Sequence, residues 1–330
     1  HAKSSCQTSS TATEVGDQFN LAYTDSYGYF DTIPNDSWIR TRQWARNFGF
    51  HRYVGNPGQF YKQTAVWFLY NYDPYLSCPE QHRIGHIGDG PKWTCNVHRL
   101  PQMAEDRWLQ EQQQQQRSEE TDEGYDLPST TAGGAVAKYS DEPVDEFGNT
   151  KYGCLIYSIG SNGNYEWEDG LFKELGGPVC EIHIFDYSKN YDRPTNKERN
   201  MHFHQWGYKG SKTPDDQLPQ KSKDKFVDLF EIIKRLGHED RVIDIFKIDC
   251  EGCEWSSYYD YVPYRNIRQV LVETHLLPAK VDKALEYFDA YAKHDLVMYS
   301  KEVNPWGGGK HYEFAYMRFR PEFLHPKSPA

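Results

Sequence analysis

The stretch CLIYSIGSNGNYEWEDGLFKELG (154–176) and the run that follows it, EIHIFDY (181–187), decide the fold. An apolar run stops at Gly160, a polar turn Ser161-Asn162-Gly163-Asn164 follows, and about 166–175 reads as a helix. A second apolar run then ends on Asp186-Tyr187. The order is strand, glycine turn, helix, strand. Outward from it, MHFHQWG (201–207), VIDIFKID (242–249) and QVLVETH (269–275) read as three more strands. KDKFVDLFEIIKRLG (223–237) places Phe226, Leu229, Phe230, Ile233 and Leu236 at helical spacing before Gly237, and 279–294 forms a second amphipathic pattern. LVMYSKEV (296–303) and HYEFAYMRF (311–319) read as a hairpin around Pro305-Trp306-Gly307-Gly308-Gly309. Runs apolar on both faces, such as VIDIFKI, suit central parallel strands. The pattern predicts an α/β fold: a doubly wound, mostly parallel, Rossmann-like sheet with a C-terminal antiparallel hairpin.

Composition bounds the rest. The 330 residues are 38% hydrophobic, with 25 Tyr in that count, and 15% aromatic, so aromatic carbon carries much of the core. Lys and Arg number 37 against 48 Asp and Glu, a net charge of −11. Without clustered cations this excludes a general nucleic-acid binder, and no nucleic-acid partner is expected. No apolar run is long enough to span a membrane. A chain opening on His1 rather than Met reads as a processed or truncated product, with any signal or anchor segment outside it.

Residues 1–18 read as a polar tail and 19–117 as an aromatic-rich extension or lid, with short helical character over 63–72 and an exposed helix over 104–117. Residues 118–150 read as an acidic linker or insertion, 151–320 as the α/β domain and 321–330 as a tail. Of seven cysteines, Cys78 and Cys95 lie in a Pro/Gly-rich polar loop where an oxidising compartment would let them pair. Cys250 and Cys253 read as buried small residues, and His202 and His204 as facing the two sides of the sheet.

Ligands of such sheets sit beyond the carboxyl ends of the strands. There the sequence offers Gly160, Ser161, Asn162 and Gly163 as a close-approach turn and Asp186 as a ribose carboxylate with Tyr187 beside it. A turn followed by Glu166 and Glu168 would repel a pyrophosphate but suits a sulfonium and an ammonium. That favours S-adenosylmethionine, with Glu168 in the binding set, over a nicotinamide dinucleotide. The next tips carry Asp249, Glu251 and Glu254, then Glu273 and His275. Glu254 reads as a helix cap. Asp249 or a neutral His275 is the expected general base for an alcohol nucleophile, with Glu251 orienting the hydroxyl. No metal is expected from these motifs; if one binds, Asp249, Glu273 and His275 are the ligands on offer.

CLIYSIGSNGNYEWED, CEIHIFDYS, FKIDCEGCEW and VLVETH, in that order, resemble the FkbM-like methyltransferases, and among them the methyltransferase-like protein 24 type of domain. That type also carries an upstream segment which here reads CPEQHRIGHIGDGPKWTC, Cys78 to Cys95. The resemblance covers about 70–320. It implies a class I fold, S-adenosylmethionine, Gly160 to Gly163 around the methionine part, Asp186 on the ribose and Asp249 near the reacting centre. The G-x-x-G turn and the two cysteines flanking Glu251-Gly252 depart from the usual pattern. The function expected is O-methylation of a glycan or small hydroxylated molecule. The other reading is a catalytically silent module, its cleft filled by Tyr157, Trp167 or the amino-terminal segment. Related proteins often carry an anchor or secretory signal, so a luminal or extracellular location is expected. The aromatic extension offers a protein-partner surface.

Overall fold

The computed structural model describes residues 19–48, 68–86, 90–122, 144, 148–188, 195–275 and 281–326. Eleven strands and eight α-helices are defined among them. Seven strands form the central sheet: β3 (Leu155–Ile159), β4 (Glu181–Phe185), β5 (Met201–His204), β8 (Ile243–Ile248), β9 (Ile267–Thr274), β10 (Leu296–Val303) and β11 (Tyr312–Arg318). Their spatial order is β10-β11-β9-β8-β3-β4-β5. β5, β4, β3, β8 and β9 run parallel, β11 is antiparallel to β9, and β10 pairs with β11. This is the doubly wound sheet with a terminal hairpin that the apolar runs predicted. β3, β4 and β8 are buried along their whole length, which is why Ile, Leu and Phe dominate them and why the polar members Glu181 and Asp244 are paired with Arg241 and Arg107.

The helices joining parallel strands are α4 (Glu166–Glu174) after β3, α5 (Leu229–Leu236) before β8, α6 (Glu254–Tyr261) between β8 and β9, and α7 (Val281–Lys293) before β10. α5 is half as long as the pattern suggested. Its N-cap is Asp228, whose side chain accepts from the Glu231 amide, and Gly237 closes it in the left-handed region. Upstream of that cap, β7 (Phe226–Val227) pairs in parallel with β6 (Gly207–Tyr208). Phe226 therefore belongs to a β ribbon, Phe230 is exposed, and Ile232 takes the buried face instead.

The amino-terminal extension is packed onto the domain. α1 (Leu21–Asp25) and α2 (Asn35–Phe48) meet α8 (Pro321–Leu324), with Trp38 and Phe323 5.4 Å apart, so 321–324 is a docked helix rather than tail. α3 (Leu100–Asp122) is tied to the sheet by Arg107, which donates two bonds to the buried Asp244 carboxylate at 2.8 and 3.1 Å. Between them, β1 (Gln81–Ile84) and β2 (Lys92–Cys95) form a hairpin closed by a Cys78–Cys95 disulfide. The buried Gln269 amide of β9 clamps it, bonding the Cys95 amide at 3.2 Å and its carbonyl at 2.8 Å. Disulfides also join Cys154 to Cys180 and Cys250 to Cys253, so the C-x-x-C pair is bonded and half-buried rather than two buried small residues. The expected tail 1–18, the first half of the 63–72 helix and most of the 118–150 linker lie outside the described residues, and 68–70 is helical.

At the β5 edge, His202 and His204 both stack on His183, at 4.7 and 5.0 Å. They share one face, as residues two apart on a strand must, which corrects the two-sided reading. His183 Nε2 lies 2.6 Å from Glu181, which also pairs with Arg241. Burial and the neighbouring His183 push His238 down to about 3, so it is neutral in the folded chain. Unfolded, it takes a proton below about pH 6.5. Stability from this group is therefore present at neutral pH and lost as pH falls from about 6.5 towards 3, at up to about 1.4 kcal/mol per pH unit. Thermal unfolding measured from pH 7 to 4 should show His238→Asn with a flatter pH slope than the parent; an unchanged slope would refute this assignment.

Candidate functional site

Two adjoining cavities open at the carboxyl ends of β3, β4 and β8. The first is about 710 Å³ and is lined by Gly160, Asn162, Asp186, Tyr187, the 207–219 segment, Phe226 and the 249–253 loop. The β6–β7 ribbon, which helical spacing had concealed, supplies much of its wall. Gly160 has φ +75°, and a Cβ there would lie 1.7 Å from the Asp249 carbonyl oxygen. Glycine is thus required because two strand ends touch at this point. Asp186 is nearly buried, with one oxygen accepting from the Asn162 amide at 2.8 Å and the other from the Ser188 amide at 2.9 Å. These bonds aim the carboxylate along the wall and fix the turn after β3 to the tip of β4.

The second cavity is about 230 Å³ and shares Gly160, Asn162, Asp249 and Glu251 with the first. Its other walls include Ser161, Trp167, Lys247, Glu273, His275, Asn304, Trp306 and His311. Beneath it the ammonium of Lys92, at the start of β2, reaches Asp249 at 3.2 Å, Glu273 at 3.3 Å and Glu313 at 2.8 Å. Burial disfavours that charge, yet Asp249, Glu313 and Glu273 outweigh it and hold Lys92 well above the usual lysine range. Burial raises Asp249 as well, but Lys92, Lys247 and His275 more than offset it and bring it to about 2. Glu313 goes the other way: burial lifts it well above the carboxylate range despite Lys92.

His275 is braced from behind. Glu254 accepts from the His275 amide at 2.6 Å, lies 3.2 Å from its Nδ1, and accepts from the Gly252 amide at 2.9 Å. Glu254 thus ties the 250–254 loop to the tip of β9 rather than capping a helix; the helix that it opens has Cys253 at its N-cap and no side-chain cap bond. Burial pushes the imidazole down, but the Glu254 bond and charge, then Asp249 and Glu273, carry it to about 9. It therefore carries a proton at neutral pH, and the expectation of a neutral base at His275 is overturned.

Of the residues read from sequence, Gly160, Asn162, Asp186, Tyr187, Asp249, Glu251, Ser161 and His275 all border one cavity or both. Gly163 borders neither; its φ of +75° serves the turn itself. Glu168 is a correction. It is fully buried on the inner face of α4, bonded to Ser158 and 3.8 Å from Lys247, and so faces the sheet rather than the cleft. Tyr157 turns away to His238, 2.7 Å off, and Trp167 stands in the wall of the second cavity. Among described residues 19–117, only Gly90 borders either cavity, so the described part of the extension is a buttress rather than a lid. Lys92, Asn304 and His311 were missed. Lys92 stood in the quoted upstream segment, but nothing local shows that a hairpin delivers it to another strand's tip.

The first cavity offers S-adenosylmethionine a carboxylate at Asp186, close-packed backbone at Gly160, and an aromatic wall of Tyr187 and Phe226, 4.8 Å apart. The matching family, described as a methyltransferase domain, covers residues 20–125 and 127–318. Among curated proteins none matches the sequence. Solved structures with a similar fold include a Methanococcus jannaschii fibrillarin pre-rRNA processing protein at 6% identity and TM-score 0.30, covering 50% of this chain and 66% of that one. Aeropyrum pernix fibrillarin with natively bound S-adenosyl-L-methionine follows at 10% identity and TM-score 0.32, with the same coverage of 50% and 66%. A Streptococcus mutans protein described as a putative S-adenosylmethionine-dependent methyltransferase stands at 13% identity and TM-score 0.31, covering 50% of this chain and 44% of that one. This chain spans just under two thirds of each fibrillarin. With a family match running through the whole of the central sheet, the chain belongs to the methyltransferase-domain family, with the class I α/β fold and S-adenosylmethionine as its cofactor.

Proposed function

We propose that the chain is an O-methyltransferase whose acceptor is a glycan or a small hydroxylated molecule. The observation that carries this is the second cavity: small, polar, joined to the donor cleft at Gly160 and Asp249, and walled by Asp249, Glu251 and Glu273. Carboxylates accept hydroxyl hydrogen bonds well. Trp306, 75% exposed at its rim, offers an aromatic face to a sugar ring. An acidic mouth on a chain of net charge −11 disfavours a polyphosphate acceptor.

When bound, S-adenosylmethionine supplies an electrophilic methyl group. The chain's part is to place the acceptor and manage its proton. Lys92 holds one oxygen of Asp249, which leaves the other, 3.6 Å from His275 Nε2, facing the cavity. There it accepts the acceptor hydroxyl's hydrogen bond. The hydroxyl becomes strongly acidic as its oxygen is alkylated, so a carboxylate near pKa 2 suffices to take the proton late in the step. Protonated His275 acts as a fixed charge that orients Asp249. Glu251, its side chain 77% exposed, guides the acceptor at the mouth.

The disulfides support a location in the secretory lumen or outside the cell. No described helix is long and apolar enough to cross a membrane. The test is transfer of a labelled methyl group to panels of glycans, small alcohols, amines and RNA. Labelled hydroxyl acceptors are expected; labelling confined to amines or RNA would overturn the proposal. Asp186→Ala should weaken S-adenosylhomocysteine binding by roughly tenfold or more, since a charged hydrogen bond is lost, which calorimetry can read directly.

A further inference from the structure

At the rim of the second cavity, Glu273 Oε1 lies 3.7 Å from His275 Nε2 and 3.8 Å from His311 Nδ1. Asp249 Oδ1 is 3.6 Å from the same His275 nitrogen. These separations are too long for hydrogen bonds. They are close to the edges, about 3.4–3.6 Å, of a tetrahedron with bonds of about 2.1–2.2 Å to a central ion. His275 has a side chain only 5% exposed, and its Nε2 reaches no hydrogen-bond partner among the described residues. That nitrogen lies beside the gap between these two oxygens and His311.

The supports behind these atoms favour the same use. Glu254 holds His275 from its Nδ1 side, the carboxylate brace that fixes a metal-binding imidazole. Asn304 Nδ2 bonds Glu273 Oε1 at 2.7 Å, while Lys92 occupies Asp249 Oδ2 and Glu273 Oε2, the outward oxygens. The lysine cation therefore neutralises the pair without entering the gap. Two other groups of potential ligands lack this opening. Glu181, His183 and His238 already carry the Arg241 ion pair, and the sulfurs of Cys250 and Cys253 are bonded to each other.

We infer that Glu273, His275 and His311 bind a divalent first-row transition metal at the acceptor mouth. Two imidazoles and a carboxylate suit zinc or manganese better than magnesium or calcium. An ion there takes the place of the Nε2 proton on His275. It borders the cavity assigned above to the acceptor, where it would polarise a hydroxyl as a Lewis acid.

The test is made on the full chain, stripped with a chelator, with Zn²⁺ or Mn²⁺ alone and no acceptor, so it reads independently of what is methylated. Equilibrium dialysis with elemental analysis should give one tight equivalent. His311→Ala, at a partly exposed position, should keep the parent's unfolding temperature and weaken binding about tenfold or more; Glu273→Gln should weaken binding likewise. His238→Asn should leave the stoichiometry unchanged. Absence of saturable binding in the parent, or an equivalent that survives His311→Ala, or one lost in His238→Asn instead, would overturn the inference.

Discussion

Lys92→Met is expected to lower stability by about 3–5 kcal/mol, the cost of leaving buried charge unpaired. The carboxyl groups of Asp249, Glu273 and Glu313 converge on its ammonium. Methionine fills the volume but supplies no charge. Asp249 then loses its chief stabilising partner, its pKa rises, and the oxygen that faces the acceptor is no longer held. Thermal unfolding and methyl transfer should fall together, with the transfer defect easing as pH rises and Asp249 ionises again. A variant with parental melting temperature and turnover would show that the lysine is incidental. Lys92→Arg separates charge from shape: it retains the cation but overfills the site, so partial stability with poor turnover is expected.

Gly160→Ala should be at least as damaging. The added carbon would fall 1.7 Å from the Asp249 carbonyl at a φ of +75°. Left-handed backbone costs a residue with a Cβ roughly 1–2 kcal/mol before any clash is counted, and the clash is with backbone that cannot swing aside. β3 and β8 are joined here by the Asp249 amide bonding the Ile159 carbonyl at 3.0 Å, so separating them opens the floor shared by both cavities. The expected result is a large fall in melting temperature and no shift on adding S-adenosylhomocysteine. A ligand that binds only the native state must raise its stability. A parental melt with a parental ligand shift would remove the close-packing argument.

The sheet was legible because burial on both faces forces runs such as CLIYSI and VIDIFKI to be continuously apolar, and the tips then follow in order. Asp186 and Asp249 could be named for that reason: both immediately follow such runs. What failed is what depends on side-chain direction or distant contact. Glu168 lies in the first turn of a helix, and sequence alone does not say whether it faces the ligand or the sheet. Phe226 matched a helical stripe, but Asp228 supplies the helix's real start two residues later. The charge on His275 was misjudged because its four acidic neighbours come from two separate stretches, Asp249, Glu251 and Glu254 around one loop and Glu273 on β9.

That hairpin redraws the unit that can be inherited or cut. A fragment beginning at 151 would retain every strand of the central sheet and look complete on paper. It would nevertheless carry Asp249, Glu273 and Glu313 without their counter-ion, Asp244 without Arg107, and Gln269 without the backbone it grips. The smallest autonomous piece therefore begins upstream of Cys78, and any recombination that separates the extension from the sheet severs the reaction centre along with it.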